Sequence, residues 1–270
     1  FSTMLGVLYP LIYEFIYDQK ISVGAPFYNA IFVPITLIAC IFLYFSIDSK
    51  WQQSFNFKSL YQPLFLSITA SLIIVALAFY KFLIVNFWTL ASLLIGSIII
   101  IRYLIVIYFY FVYRKFANFF SIIAHCGLGL LIISIALNDN LSSERALNIK
   151  INETEVYKDY QINFKNLRVV PGPNFDSVKA DFVITNPNGK VFTLTPEKRK
   201  YFARGQVTTE TAIHASALKD IYITIGDQLD DGSWIVNIQF NVFIRWIWFS
   251  AIMMVLAGLL LTHSLSRSRS

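Results

Sequence analysis

Long apolar stretches constrain this chain more than any other feature. A helix that crosses a bilayer needs about 20 mostly apolar residues. Six runs of that kind can be read: Phe1 to Tyr17 (cut short), Phe27 to Ser46, Gln62 to Tyr80, Val85 to Tyr113, Asn118 to Leu137 and Phe243 to His263. Between the fifth and sixth lie about a hundred residues that are polar and rich in Asn, Asp and Lys. Charged residues make up only 14% of the chain, against roughly 25% in a soluble domain. That deficit excludes a disordered chain, a disulfide scaffold and an ordinary cytosolic enzyme. Phe1 already lies in an apolar run with no charged region before it, so a signal peptide is not indicated. A processed or truncated chain, or one piece of a larger protein, is expected.

Charge placement orients the spans, because Lys and Arg in short loops favour the inside face. Lys50, Lys58, Arg114, Lys115, Arg267 and Arg269 fall on one side if all six runs cross; the opposite short loops hold only Lys20 and Lys81. The carboxy terminus is therefore expected inside (cytoplasm or matrix) and the polar segment outside (periplasm or intermembrane space). Residues 139–241 carry 12 Lys/Arg and 13 Asp/Glu, so the chain's net +6 comes from the membrane part. Its basic character reflects inside-facing anchors, and no nucleic-acid partner is expected.

The polar segment alternates with period two: Val178, Ala180, Phe182 and Ile184; Ile221, Ile223 and Ile225; Trp234, Val236, Ile238 and Phe240. This is the pattern of half-buried strands. Turn signals separate the runs at Pro171-Gly172-Pro173-Asn174, Asn186-Pro187-Asn188-Gly189 and Asp230-Asp231-Gly232. A small antiparallel sandwich or barrel of six to eight strands is expected. Its one histidine, His214, reads as a surface or packing residue. The run Glu197-Lys198-Arg199-Lys200 reads as a solvated turn, with docking of an anionic partner or cofactor group as the alternative. No Ser/His/Asp or paired-carboxylate constellation is legible.

Within the spans two ionisable residues stand out. His125 lies roughly 10 Å into the fifth run from its inside end, and ionisable groups at such depth mark functional sites by default. Histidine is a frequent haem ligand. Ser121 at i−4 and Gly129 at i+4 share its helix face, and a glycine there would leave room for the edge of a macrocycle. The alternative is a buried histidine bonded to a neighbouring helix. Arg102 interrupts the fourth run at a similar depth, about 16 Å from Tyr113; it would either pair with a haem propionate or snorkel to the headgroups. His263 reads as interfacial. Cys40 and Cys126 lie in apolar runs with no CxxC spacing, so neither a disulfide framework nor a zinc site is suggested; Cys126 reads as a small buried residue.

A family resemblance emerges from motifs spread along the chain. Leu5-Gly6-Val7-Leu8-Tyr9-Pro10 and Lys20-Ile21-Ser22-Val23-Gly24-Ala25-Pro26-Phe27-Tyr28-Asn29 resemble the L-G-T-L-Y-P and K-I-S-V-G-P-P-Y-F-N segments of the CcmF family of cytochrome c biogenesis proteins. Ala124-His125-Cys126-Gly127 is similar to its A-H-x-G span, Gly172-Pro173-Asn174-Phe175 to G-P-N-Y, and Pro196-Glu197-Lys198-Arg199 with Tyr201 to P-E-K-R-x-Y. Asp230-Asp231-Gly232-Ser233-Trp234 and Arg245-Trp246-Ile247-Trp248 match D-D-G-x-W and R-W-I-W. Ala25 replaces a proline, and Asn241-Val242 stands where many members have Lys-Pro. The family's tryptophan-rich W-W-D segment and its flanking histidines have no counterpart here, so the resemblance is to the carboxy-terminal part.

The resemblance implies a polytopic α-helical membrane protein with an inserted extracytoplasmic all-β domain. Residues 1–137 would form five transmembrane helices, the first truncated; 138–242 the β domain; 243–263 the last span; and 264–270 a cytoplasmic tail. It implies a membrane subunit of the cytochrome c maturation haem lyase, supporting haem transfer and thioether attachment to CxxCH motifs. The chain itself would carry no catalytic residue. His125 would be one axial ligand of a haem b, with Gly129 and Arg102 beside the cofactor and the second ligand supplied by the amino-terminal half. Expected partners are that half, a haem chaperone, thioredoxin-like and apocytochrome-binding maturation subunits, apocytochrome c and membrane lipid, in a bacterial or mitochondrial inner membrane. Two alternatives remain: a non-catalytic scaffold in the same assembly, and a solute transporter.

Overall fold

A computed structural model describes residues 2–22, 24–46, 57–84, 86–113, 119–203 and 205–267. Of the charges that set the expected orientation, Lys50, Arg114, Lys115 and Arg269 lie outside these residues. The chain divides into a helical unit, formed by residues up to Ala136 and from Trp246 onward, and a β unit, Leu137–Arg245.

The helical unit follows the apolar runs. Its elements are α1 (Ser2–Tyr17), α2 (Ala25–Ser46), α3 (Phe57–Phe82), α4 (Phe87–Tyr113), α5 (Phe119–Leu141) and α6 (Ile244–Arg267). α2 to α6 are long and apolar enough to cross a membrane. The apolar part of α1, Met4–Tyr17, is shorter than a span requires. α4 begins where Asn86 caps it, its Oδ1 accepting from the Trp88 and Thr89 amides at 2.9 and 3.3 Å. Three hydroxyls buried in the helices are satisfied by their own backbone: Ser97, Ser134 and Ser250 donate to Leu93, Leu130 and Trp246 carbonyls four residues back. That economy matters where no water is at hand to pair a buried polar group. A cluster of Leu37, Cys40, Ile99, Tyr103, Ile122 and Ile132 joins α2, α4 and α5.

Among the described residues the β unit contains ten strands, more than the six to eight expected. β1 (Ser143–Ile149), β10 (Trp234–Val242), β9 (Lys219–Gln228) and β8 (Ala212–His214) form one antiparallel sheet in that order. β2 (Thr154–Tyr157), β3 (Tyr160–Pro171), β4 (Phe175–Thr185), β6 (Glu197–Tyr201) and β7 (Val207–Glu210) form the other, with β5 (Val191–Leu194) also paired to β4. The period-two residues meet between the sheets: Ile162, Phe164, Phe182, Ile184, Ile223, Ile225, Val236 and Ile238 are all buried, with Phe164 and Phe182 stacked at 4.7 Å. The three turn signals each join a hairpin, β3 to β4, β4 to β5 and β9 to β10. In the first, a Cβ on Gly172 would lie 2.6 Å from the Phe175 ring, so a side chain there would have to displace that ring.

The charge run at 197–200 is a strand, β6, and not a solvated turn. Its odd positions face outward with a ladder of opposite charges. Glu197 accepts from Lys179 at 2.7 Å, Arg199 at 3.0 Å and the Ser177 hydroxyl at 2.9 Å, and Arg199 also reaches Glu210 at 3.6 Å. Lys198 points the other way and pairs with Asp227 of β9. His214 packs, as expected, its ring stacked on Phe192 at 3.8 Å.

Candidate functional site

The His125 site rests on two adjacent turns of α5 and the facing stretch of α4. In an α-helix the carbonyl of residue i−4 lies under the side chain of residue i. Ser121 O is therefore within reach of the His125 ring, and the Nδ1···O distance is 2.6 Å; the Ser121 hydroxyl lies 3.2 Å from the same nitrogen. A carbonyl oxygen can only accept, so Nδ1 carries the hydrogen. In a neutral imidazole the other nitrogen, Nε2, then holds the lone pair. The hydrogen bond selects the tautomer that leaves Nε2 as the metal-ligating or proton-accepting atom.

The face of the ring is fixed as well. Tyr103 of α4 stacks on the His125 ring with centroids 4.9 Å apart and planes within 8°. Tyr103 is buried among Ile99 and Ile122, while His125 is half-buried. Tyr103 was not legible as a site residue, because a tyrosine within a run of Ile, Leu and Tyr carries no distinguishing spacing. The one hint was its place beside Arg102.

Arg102 is buried, with 5% of its surface exposed, and its guanidinium carbon lies 5.9 Å from the Tyr44 ring of α2. It packs inside the helical unit, which argues against snorkelling. Successive helical residues point about 100° apart, so Arg102 turns to α2 and Tyr103 to α5. The structure thus brings Arg102 and His125 to one level of α4, as their depths suggested, but on different faces of that helix.

Gly129 serves a different purpose from the open face expected of it. A Cβ there would lie 2.8 Å from both the Gly96 carbonyl oxygen and Ile100 Cγ1 of α4, and a Cβ on Gly96 would lie 2.9 Å from the Gly129 carbonyl oxygen. The space beside Gly129 is filled by α4. Its lack of a side chain permits close approach of two helices and leaves no slot for a macrocycle. Gly127 plays a similar part against α6, where a Cβ would lie 2.9 Å from Met254 Cγ and 3.2 Å from the Ser250 carbonyl oxygen. Cys126, expected to be buried, is half-buried and partly packed against the α2–α4–α5 cluster. His263 is exposed near the end of α6. Among the described residues no group of three His, Cys, Asp or Glu side chains could hold a metal ion. His125 offers one potential ligand atom, Nε2.

Five membrane-spanning helices and a β-sandwich inserted before the last of them define a polytopic helical membrane protein with an inserted β domain. Comparison with known proteins narrows the class. Residues 140–242 match the family model described as the CcmF C-terminal beta-sandwich. The chain is 26% identical to the cytochrome c-type biogenesis protein CcmF of Pseudomonas fluorescens over 268 residues, covering 95% of this chain and 40% of that protein. It is 29% identical to CcmF of Haemophilus influenzae and 28% identical to CcmF of Escherichia coli, with 95% of this chain covered in each case. A solved structure named Cytochrome c Heme Lyase CcmF superposes with a TM-score of 0.73 at 14% identity, covering 96% of this chain and 42% of that one. The likeness to the carboxy-terminal part of CcmF thus holds in sequence, in the domain match and in fold. The chain spans about two fifths of the length of these relatives.

Proposed function

We propose that this chain is the carboxy-terminal membrane part of a cytochrome c haem lyase, and that His125 is an axial ligand of a b-type haem within it. One observation carries the reading: the Ser121 carbonyl takes the Nδ1 hydrogen at 2.6 Å, so Nε2 is presented with its lone pair free to ligate. The donor set fits haem, which needs one or two protein ligands, better than a naked metal ion, which needs three or four. A haem held there supplies one-electron chemistry. The chain's own residues orient the imidazole, exclude water around it and place the Arg102 cation at its level.

The second axial ligand comes from the amino-terminal part, and the working assembly includes a haem chaperone, thioredoxin-like and apocytochrome-binding subunits, and apocytochrome c with its CxxCH cysteines. Arg102 acts on the haem through its charge. In an inner membrane, the β domain faces the periplasm or intermembrane space.

The test is the absorption spectrum of the protein purified with its amino-terminal part. His125→Ala should lose most of the b-type Soret band and halt cytochrome c maturation, while His214→Ala and His263→Ala keep both. Arg102→Leu should lower the haem midpoint potential, because removing a nearby positive charge favours the oxidised iron. Full haem content in His125→Ala would sink the reading.

A further inference from the structure

We infer that Tyr103 is a positioning residue for His125: with the Ser121 carbonyl it locks the imidazole in one tautomer and one plane, so that Nε2 alone, at one fixed ring angle, meets the iron. The inference rests on the haem reading above. Its own evidence is the geometry of three groups.

An imidazole on a helix has two torsions to settle, χ1 and χ2, and χ2 is broad for such rings. The Nδ1–H bond to Ser121 O at 2.6 Å restrains the in-plane orientation and the tautomer, but a single hydrogen bond near the ring's edge still permits rocking about it. The Tyr103 ring, lying 4.9 Å from the imidazole and within 8° of parallel, removes that freedom by filling one face. Tyr103 is itself closely packed: it is 6% exposed and clusters with Ile99 and Ile122. The half-buried imidazole is thus restrained from the side of α4.

Partners that hold a ligating histidine commonly tune metal affinity, by 10- to 100-fold for strong hydrogen bonds. An aromatic face contributes less, and a several-fold effect on haem retention is expected. The ligand plane also governs the magnetic anisotropy of a low-spin ferric haem, which gives a readout that ordinary loss of stability does not move.

Tyr103→Phe retains the ring and should leave the electron paramagnetic resonance g-values, the midpoint potential and the haem content unchanged. Tyr103→Leu retains apolar bulk without a flat face. It should release haem roughly three- to tenfold faster and broaden or shift the largest g-value. If Tyr103→Leu does not accumulate in the membrane, Tyr103→Met replaces it. Wild-type g-values and haem retention in Tyr103→Leu or Tyr103→Met, with haem still dependent on His125, would overturn the positioning role and leave the haem reading standing. Haem that survives His125→Ala would overturn the haem reading itself.

Discussion

The Glu197 carboxylate shows how a single residue can be set by its neighbours. Lys179 donates to it at 2.7 Å, and Ser177 and Arg199 add two further hydrogen bonds. These donors, Lys179 first, outweigh partial burial and hold the carboxyl at about 2, below its ordinary 4.5. A carboxylate whose folded value is depressed stabilises the fold at every pH above its ordinary value. That contribution fades as pH falls from about 4.5 and is gone near 2, where the folded form is protonated too. Its side chain is 16% exposed, so solvent screens the pair only in part. Glu197→Gln should therefore cost about 1–2 kcal/mol at pH 7. The gap between the wild-type and variant denaturation curves should close between pH 4.5 and 2; a gap constant with pH would mean that the glutamate acts through packing and not through its charge. This residue also marks a limit of sequence reading. Four consecutive charges look like a solvated turn, because the strand period is hidden when the outward residues and Lys198 on the opposite face are both ionic.

Between elements, the decisive contact is the glycine pair of α4 and α5. Gly96 and Gly129 each stand under 3 Å, in Cβ terms, from the other's backbone oxygen. Backbone cannot swing aside as a long side chain can, so an added methyl must part the helices. Gly129→Ala should destabilise the helical unit by about 1–3 kcal/mol, with or without haem, measured as thermal unfolding in detergent with and without the cofactor. A loss seen only in the haem-loaded protein would restore the view that Gly129 makes room for a macrocycle. Gly96→Ala and Gly129→Ala together should cost less than their sum, since the first methyl has already parted the pair. The apolar runs told where α2 to α6 lie because bilayer thickness fixes their length and composition. The role of Gly129 was not legible, since glycine beside a possible cofactor and glycine beside another helix look alike in one dimension. Of the strands that the period-two runs did not name, β2, β5, β7 and β8 have three or four residues each, too few for alternation to register, whereas β1 and β3 are longer but carry polar residues on both faces.

Across the whole molecule, orientation follows from parity and charge together. α2 to α6 are five consecutive helices long and apolar enough to cross a membrane. The segments after α2, after α4 and after α6 must then share one face, whatever α1 does. Those segments, with the helix ends beside them, hold Lys50, Lys58, Arg114, Lys115, Arg267 and Arg269, against Lys20 and Lys81 on the other face. The charges of the β domain do not enter the count, because long domains cross largely regardless of their Lys and Arg content. On this balance we propose that the carboxy terminus lies inside and the domain outside. The Asn186–Gly189 turn tests this cleanly. Asn188 is exposed between β4 and β5, Gly189 takes a positive φ of 77°, and a thiol there would stand clear of the sheet. In intact cells or right-side-out vesicles, Asn188→Cys should react with a membrane-impermeant maleimide above the background of the unsubstituted chain. A tag placed after Ser270 should resist external protease until the membrane is opened. Labelling of Asn188→Cys only after lysis, with the tag cleaved from outside, would invert the topology and put the sandwich on the wrong side of the membrane for the proposed haem lyase.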